Sequence, residues 1–444
     1  MSLAHQTAEG AARALASAGL ALVLAPALAR MLAHTHGRRR TLAWALLVAP
    51  LLTPALLVSY AYSHLALRLM AVPGATAALY FAALTLKLVP VAAMVLHFVP
   101  SALSPEAVRC HALLVRSRWE RWIFQLRGAG RAPWMAGGLV FLFAFTDFEL
   151  ASLWSLKTWT VALFDAQAGG LALGASLRLA ALPLGVEIAV LALLLRPPAL
   201  TASPAAGKAP GRGARRALIA YLGGAALLGC GWPLLSVTAQ AGDGFRAVAE
   251  NFVLANGLAA SLAFAAVAAP GAWLLAACLA GFRRTALVSA LPGLLGALLV
   301  ALLLLTVFQL PALRPAYDTP VPLVLALTIL LLPFAIPLRW LLDANRHGPE
   351  LHLARLAGSS ALIWRLDTRR RWLAVFLLFC WAYFDFTAGS ILAPVGLTPV
   401  FVRLHNLAHY GQTAVLSAMF LAAFAAPVAV LLLTAPAARW YARR

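Results

Sequence analysis

The sequence has few charged residues, and acidic residues are the scarcest of them. Only 11% of its 444 residues are charged, whereas a soluble globular domain averages about 25%. Acidic residues number 14, and hydrophobic residues make up 63% of the chain. A single core surrounded by water cannot bury that many apolar side chains. The composition therefore excludes a soluble enzyme and a disordered protein.

Cysteine clusters and nucleotide-binding loops are also lacking. The four cysteines are scattered without a Cys-x-x-Cys pair, which favours small core residues over a disulfide or metal framework. The sequence has no Gly-x-x-x-x-Gly-Lys-Ser/Thr loop, because the Gly207–Lys208 pair is followed by alanine. The chain therefore has no phosphate loop with which to bind ATP, and its residues predict neither a metal nor a cofactor.

Long apolar runs are abundant. A transmembrane helix needs about 20 apolar residues, and the runs are too long and too continuous for the strands of a membrane barrel. The sequence predicts an all-α polytopic membrane protein. Its eleven expected spans lie near residues 12–33, 41–62, 75–98, 134–154, 171–195, 217–238, 251–280, 286–309, 319–341, 372–393 and 413–437.

The basic residues predict the orientation of these spans. Lysine and arginine number 35, and they collect in alternate loops. Cytoplasmic loops are enriched in both residues, so this side, with 27 of the 35, is expected to face the cytoplasm together with the C-terminus. This distribution predicts a multi-pass protein of the inner membrane. It does not favour a basic surface that binds nucleic acid. The eight on the other side are Arg13, Arg68, Lys87, Lys157, Arg178, Arg246, Arg314 and Arg403.

Two halves are expected, joined by a cytoplasmic linker. Residues 197–216 are rich in proline, glycine, alanine and basic residues, which is typical of a flexible segment. The first half, 1–196, has five predicted spans, and the second, 217–444, has six. FAFTDFELASL at 143–153 resembles WAYFDFTAGSIL at 381–392 and aligns Asp147 with Asp385. Two repeated halves are the usual plan of transporters.

A long basic loop precedes the repeated segment in each half, at 100–131 and at 344–371. One interpretation is an amphipathic helix lying on anionic headgroups. The loops also resemble the cytoplasmic coupling loops of ATP-binding-cassette (ABC) importer permeases, especially the fused two-half permeases of ferric-iron and thiamine importers. The residues that carry the resemblance are Glu106, Ala107, Arg118, Trp119, Ala354, Arg355 and Gly358.

The resemblance implies a permease subunit that hydrolyses no ATP itself. The partners that it implies are cytoplasmic ATPase subunits, expected as two copies, and a periplasmic or extracellular solute-binding protein. The small solute is expected to be of the ferric-iron or thiamine type. Two alternatives remain open: a secondary transporter driven by an ion gradient, and an integral membrane enzyme.

Ionisable residues within the spans are candidates for the translocation path, because charges at that depth are costly. The candidates are Lys87, Asp147, Glu149, Glu187 and Asp385. Lys87 and Glu187 have a competing interpretation as a mutual ion pair or as snorkelling side chains. The acids near the repeated segment have one as helix caps. His405 and His409, four residues apart, favour packing over a metal site.

Overall fold

The computed structural model describes residues 2–99, 105–128, 130–194, 210–249, 252–344, 349–358, 360–408 and 414–441. Every regular element in these ranges is a helix, as the apolar runs predict. The chain is therefore an all-α polytopic membrane protein.

The first half begins with a long capped helix. The Ser2 hydroxyl accepts a hydrogen bond from the His5 backbone N–H, which satisfies one of the free donors at the helix start. The helices of this half are α1 (Leu3–Ala33), α2 (Gly37–Leu52), α3 (Ala55–Ala61), α4 (Ser63–Leu69), α5 (Ala75–Phe98), α6 (Pro105–Leu114), α7 (Arg118–Gly128), α8 (Ala132–Phe145), α9 (Glu149–Leu153), α10 (Trp159–Ala168) and α11 (Leu173–Leu194).

The second half begins inside the predicted linker. Residues 212–216, expected to be flexible, form the first turn of a helix, and residues 197–209 lie outside the described ranges. A π-helical turn at Leu227–Gly231 joins the first two helices. The helices are α12 (Arg212–Ala226), α13 (Trp232–Ala241), α14 (Gly244–Ala249), α15 (Phe252–Leu279), α16 (Arg283–Ala290), α17 (Gly296–Phe308), α18 (Val321–Ala344), α19 (Pro349–Leu356), α20 (Ser360–Phe384), α21 (Thr387–Leu392), α22 (Val400–Ala408) and α23 (Ala414–Tyr441).

The number of spans is smaller than the eleven that the sequence predicts. In the described residues, 8 helices are long and apolar enough to cross a membrane, or up to 10 if each of two bent helix pairs is one span. The bent pairs correspond to the predicted spans 41–62 and 286–309. The prediction at 372–393 is wrong as a single helix, because the apolar part of α20, Arg371–Phe384, is short and the helix ends there.

The bend between α16 and α17, of 96°, has a local cause. Pro292 starts a 3₁₀ turn there, and Gly296 has φ +79°, a left-handed conformation that glycine adopts without steric cost. Gly293 lies against the Ile329 carbonyl and Pro333 of α18, so a side chain at this position would overlap the neighbouring helix. The close approach of these two segments therefore requires glycine.

The chain packs as two compact units that do not coincide with the two halves. The first unit contains residues 1–53, 64–162 and 181–232. The second contains residues 54–63, 163–180 and 233–444. Two pieces of the first half, at 54–63 and 163–180, therefore belong to the second unit.

The order of helices recurs in the two halves. Both halves share the order of a long helix, a bent pair, a second long helix, one or two short helices, a helix ending before aspartate, a short helix, and two further helices. The helix α4 of the first half and the helices α12–α14 of the second half have no counterpart in this order. In the first unit α1 packs against α5 and α8, and these pack against each other. In the second unit α15 packs in the same way against α18 and α20.

Parallel packing of α1 and α5 fits the predicted topology. The Thr85 hydroxyl donates to the Ser17 hydroxyl at 3.1 Å, and the His97 ring nitrogen Nδ1 lies 3.3 Å from the Ala29 carbonyl. Residue numbers rise together along both helices, so the two run in the same direction. The chain between them must therefore return to the side on which α1 begins.

Candidate functional site

The repeated aspartate interrupts a helix in each half. Asp147 follows α8 and precedes α9, and Asp385 follows α20 and precedes α21. Aspartate favours such a position, because its carboxylate accepts from the free N–H groups at the start of the next helix. Alignment of these residues in the sequence thus corresponds to the same local structure in both halves.

Asp385 binds two of the free backbone donors at the start of α21. Its Oδ2 atom accepts hydrogen bonds from the backbone N–H groups of Ala388, at 3.0 Å, and Gly389, at 3.3 Å. These donors stand three and four residues after the aspartate. The interpretation of Asp385 as a helix cap, left open by the sequence, thus has direct support in this geometry.

Asp147 has a different environment. Its carboxylate interacts with the backbone N–H groups of Leu150 and Ala151, which are also three and four residues later, and with the Tyr80 hydroxyl of α5. Its Oδ2 atom is buried and has no hydrogen-bond partner among the described residues. Asp147 therefore keeps an acceptor available that the cap does not use.

Two positive charges lie near the same aspartate. Lys87, one of the predicted path residues, interacts electrostatically with Glu149 and Asp147. The Arg13 guanidinium of α1 lies over the Tyr80 ring, 5.8 Å from its centroid, where the negative face of an aromatic ring attracts a cation. Three predicted candidates, Lys87, Asp147 and Glu149, are thus brought together in the first unit.

Sequence reasoning missed Arg13 and Tyr80 as site residues. Arg13 also pairs with Glu9 one turn earlier on α1, with an N···O distance of 3.8 Å. The spacing of four residues between Glu9 and Arg13 is a visible signal of that pair. Tyr80 gives no such signal, because its contacts are made across helices.

Glu187 stands apart from this cluster. Its side chain is 0% exposed, and neither carboxylate oxygen has a hydrogen-bond partner in the described part of the chain. It occupies the buried stripe of α11, which also includes Ala180, Pro183 and Leu191. The alternative of an ion pair between Lys87 and Glu187 is not supported, because Lys87 has Glu149 and Asp147 as its electrostatic partners.

Glycine contacts hold the repeated segment in both units. In the first unit Gly10 of α1 faces Trp159, which begins α10. The Trp159 indole N–H donates to the Phe145 carbonyl at 2.9 Å, and the Thr160 hydroxyl donates to the Asp147 carbonyl at 2.8 Å. These bonds fix the chain on both sides of the break.

The second unit has an equivalent contact. Gly257 of α15 faces Val400, which begins α22, and the Val400 backbone N–H donates to the buried Ser261 hydroxyl at 2.9 Å. The same pair of helices is therefore joined near a glycine in each half. A side chain at either glycine would be crowded, because backbone and ring atoms lie close to it.

The predicted coupling residues of the first half lie on α6 and α7. Glu106 is exposed and Ala107 is half-buried on α6, and Trp119 is exposed on α7. The two helices contact each other through stacked rings of His111 and Phe124, whose centroids are 3.8 Å apart. The side chain of Arg118 lies outside the described part of the structure.

The predicted coupling residues of the second half lie on and just after α19. Ala354 is buried, whereas Leu353 and Leu356 on the same helix are exposed. Gly358 is exposed and has φ +63°, so it ends the helix in a left-handed conformation. The side chain of Arg355 lies outside the described part of the structure.

The histidine pair does not form a metal centre in the residues described. The ring of His405 is buried and stacks on Phe386, with centroids 4.3 Å apart. His409 lies outside the described residues. Within the described ranges, no three histidine, cysteine, aspartate or glutamate side chains lie together as a metal site would require.

No family model, no curated protein and no solved structure matches this chain.

Proposed function

We propose that this chain is the membrane permease subunit of a binding-protein-dependent ABC importer. It moves a small solute of the ferric-iron or thiamine type across the inner membrane, with energy from separate ATPase subunits. The observation that carries the proposal is the repeated order of helices, in which short exposed helices precede the aspartate-broken helix in each half. A structure of two such halves suits alternating access around a central path.

The short helices α6 and α19 are the proposed docking elements. Both lie in the basic loops assigned to the cytoplasmic side by the positive-inside rule. Leu113 and Leu114 of α6, like Leu353 and Leu356 of α19, expose apolar side chains that a partner subunit would cover. Because each half carries one docking element, the permease binds two copies of the ATPase. The C-terminus is then cytoplasmic, and the solute-binding protein docks on the opposite face.

The charged residues of the first unit favour a second candidate function. Lys87, Asp147 and Glu149 lie together, and Glu187 is buried without a partner in the described residues. Ionisable groups at membrane depth are common in ion-coupled transporters. A secondary transporter driven by an ion gradient is therefore the alternative, and it requires no ATPase. An integral membrane enzyme has no comparable support from the described residues.

A docking variant tests the first proposal. The full chain is purified in mild detergent from its native membranes, reconstituted into liposomes, and assayed for uptake of ferric-iron complexes and thiamine. We expect uptake to require enclosed ATP and a co-purified ATPase. We also expect the variant Leu353→Glu/Leu356→Glu to lose the ATPase and the uptake together.

A matched control separates docking from misfolding. Leu310→Glu places a charge at an exposed leucine in the turn after α17, on the predicted outer side, and is expected to retain both the ATPase and the uptake. Uptake driven by an ion gradient without any ATPase would contradict the proposal and support the alternative. Unchanged uptake in the Leu353→Glu/Leu356→Glu variant would reject α19 as a docking element.

A further inference from the structure

The repeated aspartate has the same capping role in both halves, but only in the first half does it have further polar neighbours among the described residues. Asp385 caps the second-half helix α21 with two backbone hydrogen bonds, at 3.0 and 3.3 Å. Asp147 stands at the equivalent break, yet it has Tyr80 and Lys87 as further neighbours. Glu149 occupies the position that corresponds to Thr387. The additional polar groups are therefore not needed to build the break itself.

Two atoms of this cluster retain unused hydrogen-bonding capacity. The Nη2 atom of Arg13 and the Oδ2 atom of Asp147 are buried and lack hydrogen-bond partners among the described residues. A buried donor or acceptor of a charged group without a partner is costly, and more so at membrane depth. A ligand that satisfies both atoms would remove that cost.

The two atoms require opposite chemistry. A guanidinium N–H can only donate, so its partner is an oxyanion such as carboxylate or phosphate. A carboxylate oxygen can only accept, so its partner is a donor, and an ammonium group supplies one together with the opposite charge. Tyr80 lies between them, with its ring under Arg13 and its hydroxyl on Asp147. One tyrosine thus sets the spacing of a positive and a negative group.

Some side chains of the cluster are partly exposed, although the two unpartnered atoms themselves are buried. The Arg13 side chain is 19% exposed, and Asp147 is half-buried. Glu187 differs in this respect, because its carboxyl is fully buried. Partly exposed side chains beside unused donor and acceptor atoms distinguish this cluster from the fully buried Glu187.

We propose that Arg13, Tyr80 and Asp147 form a binding site for a small zwitterion, with the oxyanion on Arg13 and the ammonium group on Asp147. Lys87 and Glu149 border the site and balance its charge. The inference rests on the proposed transport function for its purpose, and the zwitterion that it names replaces the ferric-iron or thiamine type of solute that the resemblance implies. The binding itself does not depend on an ATPase. The same chemistry occurs in a free α-amino acid and in the headgroup of phosphatidylethanolamine.

The test measures thermal unfolding of the full chain in an uncharged detergent, without ATPase. The probes are the standard α-amino acids, the matching carboxylic acids without the amine, and the matching amines without the carboxylate. A separate arm adds phosphatidylethanolamine or phosphatidylcholine, since the quaternary ammonium of the latter has no N–H to donate. We expect a zwitterion to raise the melting temperature at concentrations where neither single-charge analogue does.

Three variants decide which residues bind. Arg13→Gln and Asp147→Asn each remove one charge, and each is expected to weaken the apparent affinity about tenfold or more. Asp385→Asn makes the same change at the equivalent cap of the second half and is expected to leave the shift unchanged. Melting temperatures without ligand report whether each variant folds.

The outcomes distinguish a solute site from a lipid headgroup site. A shift with free amino acids identifies a solute site, and a shift confined to phosphatidylethanolamine identifies a headgroup site with the same chemistry. The proposal is overturned if no zwitterion exceeds its single-charge analogues, or if the shift survives in folded Arg13→Gln and Asp147→Asn. Binding without ATP-dependent uptake would retain the site and reject the transport proposal alone.

Discussion

Replacing Glu187 by methionine should make the protein more stable. The wild-type carboxyl is 0% exposed, and both oxygens lack hydrogen-bond partners in the described residues. A polar group in such surroundings is costly when it has no hydrogen-bond partner. Methionine has a similar length and no polar atoms, and its flexible side chain fits an existing core space.

The magnitude follows from burying a polar group without a partner. Protein mutational data place that cost at about 1–3 kcal/mol, and methionine removes it while keeping the apolar contacts. We therefore expect Glu187→Met to raise the free energy of unfolding by about 1–3 kcal/mol. Glu187→Gln keeps two unpartnered polar groups, and the expected change is about zero to slightly unfavourable.

The assay is reversible unfolding of the full chain in detergent, followed by the fluorescence of its 13 tryptophans. Ile188→Met is the matched control, because Ile188 is the next residue on α11 and is 54% exposed. A surface change of this kind is expected to stay within about 0.5 kcal/mol. A loss of stability in Glu187→Met would refute the reasoning. Removing a carboxyl lowers stability when that carboxyl has hydrogen-bond partners, and Glu187 is argued to have none among the described residues.

Three further predictions concern the bend, the cap and the topology. Gly293→Ala is expected to lower the free energy of unfolding by about 1–3 kcal/mol, because the added methyl overlaps α18. Asp385→Ala is expected to cost about 1 kcal/mol, because two backbone donors lose their acceptor. In a cysteine-free background, an impermeant thiol reagent is expected to label Val395→Cys in intact cells, and Leu356→Cys only after permeabilisation.

Each of these predictions has a control or a contrary result. Gly281→Ala adds a methyl group in open space, so a cost equal to that of Gly293→Ala would reject the overlap. Asp385→Asn retains a capping oxygen and should recover most of the stability lost in Asp385→Ala. Labelling of Leu356→Cys from outside would reverse the orientation that the basic loops predict.

The sequence predicts the helices well, because their signal is local. Apolar runs of about 20 residues identify a spanning helix without any knowledge of its neighbours. The same runs do not show where a helix bends or breaks. The predicted span at 372–393 fails because Asp385 ends α20 and restarts the chain as α21, a change of backbone within an apolar run.

The candidate site is only partly visible in the sequence. Lys87, Asp147 and Glu149 are recognisable, because a charged residue in an apolar run is conspicuous. Their partners are not recognisable, because α1 and α5 meet through helix packing and no local pattern gives its register. For the same reason, the sequence does not show that Lys87 lies near Glu149 and Asp147 rather than pairing with Glu187.

The two halves distinguish residues that the shared fold requires from residues that it does not require. Features present in both, such as the aspartate break and the glycine contact of the first long helix, are explained by the shared fold. Arg13, Tyr80 and Lys87 occur beside the aspartate of one half only, so the fold does not require them. Charges at membrane depth are costly, and a cost present in one half alone needs a reason other than folding. Solute binding supplies that reason, and it predicts that removing these charges reduces binding more than it reduces stability.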